Sequence, residues 1–591
     1  MSITSRKRRY SFGPAILDHE TSFRVWAPTA REVFLNIDGT KVKMERDGEE
    51  FWEVSLSGNR TGSLYGFILD GEGPFPDPAG RFMPSGINGL SQFIDTDNFR
   101  SLDSDWKGID LKDMVIYECH VGTLSPSGNY SGISHIADHL IDLGINTVEI
   151  MPVAQFFGTR NWGYDGVYIY SPASCYGSPE NLWNTVSYLH SRGIAVILDV
   201  VYNHSGFIGN YLDRFGPFHS NWHRTPWGNC FNLDGPYSDS VRRFILENVR
   251  FWIEDYGFDG LRLDAVHGII DTSPRHILAD IGSIFSDLTE KLGRRIVAVA
   301  ETDQNDLKIT EKHDKCGYGL NAQWNDDFHH SLHTLFTGES RSYYMDYGAP
   351  EDLLRTLKHG FDYNGRWSQH LKKTRGTNFG EADRSRLVVC SQNHDQIGNR
   401  AFGERLITLA GKEAAKQAAA LTLLSPFTPM LFQGEEYGET NPFLFFVDTN
   451  DRDIAMSILD GRRKEFESFG WQQNIPDPND PETFLSSKIG WEKQKSSDGQ
   501  EFLDLYRGLI GLRKRYVSGR TSDYAVSERT KPIMVSYRTG LKLAASFLEE
   551  NIPFPDHVRE ILYDLPSTMD GSCLISSGEG VFMKKGVLVY L

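Results

Sequence analysis

The sequence predicts an α/β protein: a (β/α)8 barrel catalytic domain over residues 96–520, between an N-terminal β-sandwich (1–95) and a small C-terminal β-domain (521–591). Three observations predict it. Short β-rich runs separated by turn residues fill the first part of the chain. Eight apolar runs then alternate with amphipathic stretches between Met114 and Phe432. Short strands return after Thr521.

The sandwich is read from Phe23-Arg24-Val25-Trp26, Val33 to Ile37, Phe51 to Leu56 and Leu64 to Leu69, most of them alternating apolar and polar. Asp38-Gly39 and Ser57-Gly58-Asn59 supply turns. A Pro/Gly-rich stretch from Gly71 to Gly89 leads to a connector through Trp106. The barrel begins with the apolar runs Met114 to His120 and Thr147 to Val153, with Ile133, Ile136, Leu140 and Leu143 marking a helix between them. Asn181 to His190 falls within the next helix, and Ala195 to Val201 is nearly all apolar, as a strand covered on both faces should be. Ser240 to Tyr256 places Val241, Phe244, Ile245, Val249 and Trp252 on one helical stripe, which Gly257 ends before the short strand up to Asp264. Ser273-Pro274 reads as an N-cap followed by proline at the first helical position. Ile296 to Ala300, Leu320 to Trp324, Leu387 to Ser391 and Met430 to Phe432 complete the strands, and the helix Phe502 to Tyr516 closes the ring. Two insertions, 203–239 and 435–500, interrupt the alternation; long loops in a compact domain are usually functional.

Composition narrows the partners. At 591 residues the chain exceeds one ordinary core, and 39% apolar with 24% charged residues describes a folded globular protein. A net charge of −18 argues against nucleic acid and anionic membranes and suits a neutral polar substrate. The basic run Arg6 to Arg9 reads as a solvated arm, with no apolar leader segment behind it and no membrane-length apolar stretch elsewhere. Six scattered cysteines without a C-x-x-C pair suggest reduced thiols and a cytoplasmic location.

In such a barrel, chemistry gathers at the carboxyl ends of the strands. Those ends carry Asp199 and His204, then Arg262 and Asp264, then Glu301, then His394-Asp395. Asp264 shares a strand face with Arg262, whose guanidinium favours an ionised, nucleophilic carboxylate. Glu301 follows Val297-Ala298-Val299-Ala300, an apolar setting that can keep a carboxyl protonated for general-acid work. Two such carboxyls fit glycoside hydrolysis, with Asp395 holding sugar hydroxyls around a strained ring. Tyr164, in Trp162-Gly163-Tyr164-Asp165, is the best candidate to stack on a sugar face.

Asp199 to His204, Gly260 to His267, Ala300-Glu301 and Asn393-His394-Asp395 resemble, in order, the four signature regions of the α-amylase superfamily. The resemblance implies Asp264 as nucleophile, Glu301 as proton donor and Asp395 as transition-state stabiliser. It also implies sugar contacts from Asp199, His204, Arg262, Leu263, His267, His394, Gln396 and Asn399. Tyr117 to Thr123, Asp271 to Pro274, Asp326 to His330, Gln392 to Arg400 and Gly434 to Gly438 resemble the trehalose-releasing branch of that superfamily. That implies cleavage of the α-1,4 bond beside the terminal trehalose of maltooligosyltrehalose and related α-glucans. Asp327, Phe328 and His329 would then lie near the trehalose end, and a separate enzyme would build the terminal unit. No cofactor is implied. Cys119 and Thr302 depart from the expected pattern without removing a catalytic group.

Plainer readings stand beside these. His329 and His333 share a helical face, but His330 occupies the place where a zinc protease needs glutamate, so no metal is expected. Trp471 and Trp491 read as loop anchors, and the cysteines as packed thiols. No nucleotide loop or serine-hydrolase elbow is present. A glycogen branching or debranching enzyme is the alternative; Gln396, where an acid would follow Asp395 in a branching enzyme, counts against it. A non-catalytic α-glucan-binding protein would lack one of the three acids, and none is missing.

Overall fold

The computed structural model describes residues 8–101, 105–470, 475–554, 558–567, 572–577 and 580–591. Arg6, Lys7 and Trp471 lie outside them. Near the N-terminus, two antiparallel sheets face each other. One runs in the order Ala15–Leu17, Glu20–Trp26, Phe51–Ser57, Glu45–Asp47. The other runs Thr40–Lys43, Val33–Ile37, Leu64–Leu69, Glu72–Phe75. Alternation turns Phe23 and Val25 of the first and Val33, Leu35, Tyr65 and Phe67 of the second into a shared interior, all at most 1% exposed. Phe23 meets Tyr65 edge-on across the sheets, centroids 5.0 Å apart.

The barrel strands are β1 Ile116–Cys119, β2 Thr147–Ile150, β3 Ala195–Val200, β4 Gly260–Leu263, β5 Val297–Ala300, β6 Ala322–Trp324, β7 Leu387–Val389 and β8 Thr428–Phe432. Each pairs in parallel with the next, and β8 returns to β1 through Ile116 and Met430. Their apolar side chains, among them Ile116, Ile197, Val299, Trp324 and Met430, fill the middle. Helices cover the outside, among them α1 Pro179–Ser191, α2 Ser238–Glu254, α3 Ile277–Leu292, α4 Asp326–Thr337 and α5 Lys412–Leu423. In the later insertion α6 Arg452–Glu467 instead reaches the turn after β7, where Arg462 donates to Asn399 Oδ1 (3.0 Å), and α7 Ser497–Tyr516 returns to the outside. Among the described residues no helix is long and apolar enough to cross a membrane.

The turn between α2 and β4 shows how one acid sets the frame. Gly257 takes φ +86°, a conformation glycine adopts without strain. Asp259, fully buried, accepts from Val196 N (2.9 Å), His190 Nε2 (2.8 Å), Arg294 Nη1 (2.7 Å) and Trp106 Nε1 (2.7 Å). Burial alone would raise its pKa; His190, Arg294 and Trp106 outweigh that and hold it below the ordinary value. It therefore clamps the amino end of β4, opposite to the end where Asp264 stands.

Two expectations are corrected. Ser273-Pro274 does not open α3, which starts at Ile277. His276 is the N-cap, its Nδ1 accepting from Leu278 N (3.2 Å). Asp271 assists: its Oδ1 accepts from Ser273 N (2.9 Å) and its Oδ2 from Ile277 N (2.6 Å), while Ser273 Oγ is spent on Leu233 O (3.2 Å). A third long insertion, between α4 and β7, carries a helix, Pro350–His359, and a hairpin, Arg366–Ser368 with Lys373–Arg375.

The insertion after β3 is built against the sandwich. Phe218 meets Trp26 (4.9 Å), Phe215 meets Phe67 (6.1 Å), and Tyr211 meets Phe75 (5.2 Å). A Cβ on Gly216 would sit 2.6 Å from the Trp26 ring, so only glycine permits that approach. The later insertion stacks Phe443 on Trp162 (5.2 Å, 17°), and Trp491 donates to Leu124 O (2.6 Å), a loop anchor. After α7, a five-stranded and a three-stranded antiparallel sheet form the C-terminal part, which Tyr537 ties to the barrel by donating to Leu424 O (2.7 Å). All six cysteines are free thiols.

Candidate active site

Arg262 is the hub. Fully buried on β4, it donates from Nη1 to Asp199 Oδ1 (2.9 Å) and Oδ2 (2.8 Å) and to Asp264 Oδ1 (2.8 Å). Its Nη2 lies 3.6 Å from Glu301 Oε2, and its plane rests 4.2 Å from the centre of the Trp324 ring. The geometry follows from register: Asp199 pairs with Arg262 across β3 and β4, and Asp264 and Glu301 are the first residues past β4 and β5. Asn203 donates to Asp264 Oδ2 (2.7 Å), and Ala265 N to Glu301 Oε2 (2.6 Å). Ala265 takes φ +37°, a strained value for a residue with a side chain, and that turn aims its N–H at the glutamate.

Tyr164 OH donates to Asp199 Oδ2 (2.6 Å) and lies 2.7 Å from His394 Nε2, while its ring stacks on that of His394 at 5.2 Å. His204 holds the Tyr164 carbonyl (3.0 Å). His394 Nε2 is 3.4 Å from Asp395 Oδ2, and Asn399 donates to Asp395 Oδ1 (3.1 Å). The side chains of Asp264, Glu301 and Asp395 are 13, 15 and 36% exposed, so a solute can reach all three.

The environments push the acids apart. Burial drives Glu301 well above the ordinary carboxyl range; Arg262 opposes this, and Asp264 and Asp395 reinforce it. Asp395 goes the other way: surrounding protein raises it, but the adjacent His394 charge prevails and holds it at about 2. Asp199 rises to about 6 through burial, against the pull of Arg262. Asp326, the first residue of α4, rises to about 7 through burial and its acidic neighbours Asp303 and Asp395.

The structure thus brings Tyr164, Asp199, His204, Arg262, Asp264, Glu301, His394, Asp395 and Asn399 to one place. His267 is next to it, its ring 5.7 Å from that of Trp227. Gln396 sits on the following turn, its N–H capped by Asn393 (2.8 Å). Four candidates are placed elsewhere. Leu263 points into the core on the face opposite Arg262 and Asp264. Asp327 is buried beneath Tyr347, Arg375, Asn305 and Tyr363 N, and Phe328 packs on Phe427. His329 is buried with His330 and His333. Among the described residues no group of three His, Cys, Asp or Glu could hold a metal ion. Asn203, Asp326 and Trp227 were not singled out by the sequence reading. Asn203 carried a signal, lying inside the Asp199 to His204 run.

A closed parallel barrel with carboxyls of contrasted protonation around a buried arginine has the layout of a glycoside hydrolase. The family model described as "Alpha amylase, catalytic domain" matches residues 91–217 and 236–519, and "Carbohydrate-binding module 48 (Isoamylase N-terminal domain)" matches 11–81. The chain belongs to the alpha-amylase family and, within it, groups with the malto-oligosyltrehalose trehalohydrolases. That of Saccharolobus solfataricus is 41% identical over 94% of this chain and 98% of its own length. That of Rhizobium sp. is 43% identical over 83% and 84%. Among solved structures, a Salmonella typhimurium protein ascribed to the alpha amylases superposes with TM-score 0.90 at 37% identity, covering 99% of this chain and 100% of that one. The break in the family match, 218–235, falls within the hairpin insertion after β3.

Proposed function

We propose that this protein hydrolyses the α-1,4-glucosidic bond next to the terminal trehalose of maltooligosyltrehalose, releasing trehalose and a maltooligosaccharide with retention of configuration. The observation that carries the reading is the Arg262 hub: one buried cation bonded to Asp264 and close to a Glu301 that its surroundings keep protonated. The substrate is taken from relatives about 40% identical over most of their length that bear that name.

Asp264 attacks the anomeric carbon while Glu301 gives its proton to the departing O4 of the trehalose unit. The maltooligosyl chain is then esterified to Asp264. Water replaces trehalose, Glu301 takes its proton, and the hydroxide displaces the ester to free the sugar and restore both carboxyls. Asp395, held ionised, binds hydroxyls of the distorted ring, and Tyr164 stacks on its face. The partner implied is a separate enzyme that builds the trehalose terminus. The domains read from sequence, 1–95, 96–520 and 521–591, serve this as sandwich, catalytic barrel and C-terminal cap.

The deciding experiment is product analysis. Incubation with maltooligosyltrehalose yields free trehalose on this reading; new α-1,6 branches from amylose with no trehalose released would replace it with the branching reaction. A 1,4-alpha-glucan branching enzyme of Pseudoalteromonas atlantica is more remote, at 26% identity over 61% of this chain.

A further inference from the structure

Glu118 has no place in the reaction scheme, yet it is a buried acid in direct contact with it. It lies on β1, is 1% exposed, and spans the first residue of the short helix His394–Gly398. Its Oε2 accepts from His394 N (2.9 Å) and its Oε1 lies 2.5 Å from His394 Nδ1.

The proton inventory fixes what these contacts are. Tyr164 has one hydroxyl proton, and it goes to Asp199 Oδ2, an oxygen that Arg262 already holds as a carboxylate. The other contact of that hydroxyl, 2.7 Å to His394 Nε2, must then be donated by the imidazole. At Nδ1 the partner is Glu118 Oε1, and a Glu118 carboxylate, whose Oε2 already accepts from His394 N, can only accept. With Glu118 ionised both ring nitrogens are donors, and that is an imidazolium.

We propose that Glu118 is a positioning residue that keeps His394 an imidazolium, so that the ring orients Tyr164 and lends Asp395 its positive charge. The inference rests on the role given above to Asp395. Its cost is that of burying a cation, which the Glu118 carboxylate offsets in a bidentate grip.

Every charged group around the ring is consistent with this. Asp395 shares its helix, Glu118 comes from β1, Glu149 from β2, Asp199 from β3 and Arg262 from β4. Both oxygens of Glu149 are buried without a partner, and burial pushes it well above the carboxyl range, so it stays neutral and leaves Glu118 as the counter-ion. Burial opposes the His394 charge, but Asp395 and Glu118 raise it well above the ordinary histidine value.

The test is Glu118→Gln with Glu118→Asp as the rescue. In the glutamine variant an amide N–H faces a donor of His394, and the ring loses a proton. Asp395 then protonates more easily, so the acid limb of kcat/KM moves up by about one pH unit or more. We expect kcat to fall roughly 100-fold with KM nearly unchanged, and the aspartate variant to restore the limb. A folded glutamine variant with wild-type rate and acid limb, or a loss of rate equal at every pH, overturns the proposal. Should that variant not fold, nitrogen NMR of histidine-labelled wild-type enzyme decides. Two protonated nitrogens on His394 at pH 8 support the assignment, and a neutral tautomer ends it. If the wild type turns over another α-glucan without releasing trehalose, the substrate reading fails and the same comparison is made on that glucan.

Discussion

Replacing Arg262 by methionine should cost far more in stability than the removal of one side chain suggests. The guanidinium is fully buried and bonds two carboxylates at 2.8 Å, with a third acid at 3.6 Å. Charges about 4 Å apart at an effective dielectric near 20 attract by about 4 kcal/mol, and breaking a buried pair from one side costs about 3–5 kcal/mol. Arg262→Met should therefore lose about 3–5 kcal/mol in urea unfolding followed by tryptophan fluorescence. Adding Asp199→Asn should return part of it, about 1–3 kcal/mol of coupling. The pH dependence has a definite sign. Asp199 titrates at about 6 in the folded protein against 3.8 ordinarily, so the folded state holds the extra proton and stability falls as pH rises through that window. Without Arg262 the folded value climbs further and the window extends upward, so the deficit is larger at pH 8 than at pH 5. A loss below about 1 kcal/mol, or one equal at both pH values, would refute the account of the hub.

Asp264→Asn and Glu301→Gln should each lower kcat by roughly 1000-fold or more while the circular dichroism spectrum stays that of the wild type. Either variant running near full rate removes the role given to that residue. Because Glu301 must carry a proton and its value is raised, wild-type kcat should hold at neutral pH and fall as pH rises through that value; a profile that keeps rising to pH 9 contradicts it. The maltooligosaccharide freed in the second step should first appear as the α-anomer by proton NMR, and β-anomer at early times would mean direct displacement by water. Asp259→Ala should destabilise by about 3–5 kcal/mol, judged by the denaturation midpoint, with little change in the kcat of folded enzyme. A large kcat loss there would put Asp259 in the chemistry instead.

Much of this was legible because a parallel barrel ties function to strand ends. Once Gly260–Leu263 and Val297–Ala300 read as strands, Asp264 and Glu301 were marked by position alone. What could not be read has physical causes. Asp259 and Asp264 sit in one octapeptide, and only the direction of β4 separates a clamp at its amino end from a group at its carboxyl end. Asp327, Phe328 and His329 share the first turn of their helix with Asp326 but turn into buried surroundings as the helix rotates, so of the two acids Asp326 keeps company with Asp395. Leu263 faces the core by the same two-residue alternation that places Arg262 and Asp264 together. The third insertion escaped notice because its strands are three residues long and carry no alternation to read. Glu118 stood in a run of buried residues with nothing in the sequence to name its partner 276 positions away.

Trp26 and Phe67 act as a mould for the insertion that follows β3. A module built this way cannot be exchanged like a bead on a string, since its aromatic face is cast to one particular loop. Deleting it would strip the backing from Tyr211, Phe215 and Phe218 in the insertion whose Trp227 ring lies 6.3 Å from that of His204. Grafting a homologous module therefore calls for transplanting that loop along with it, as one inherited block.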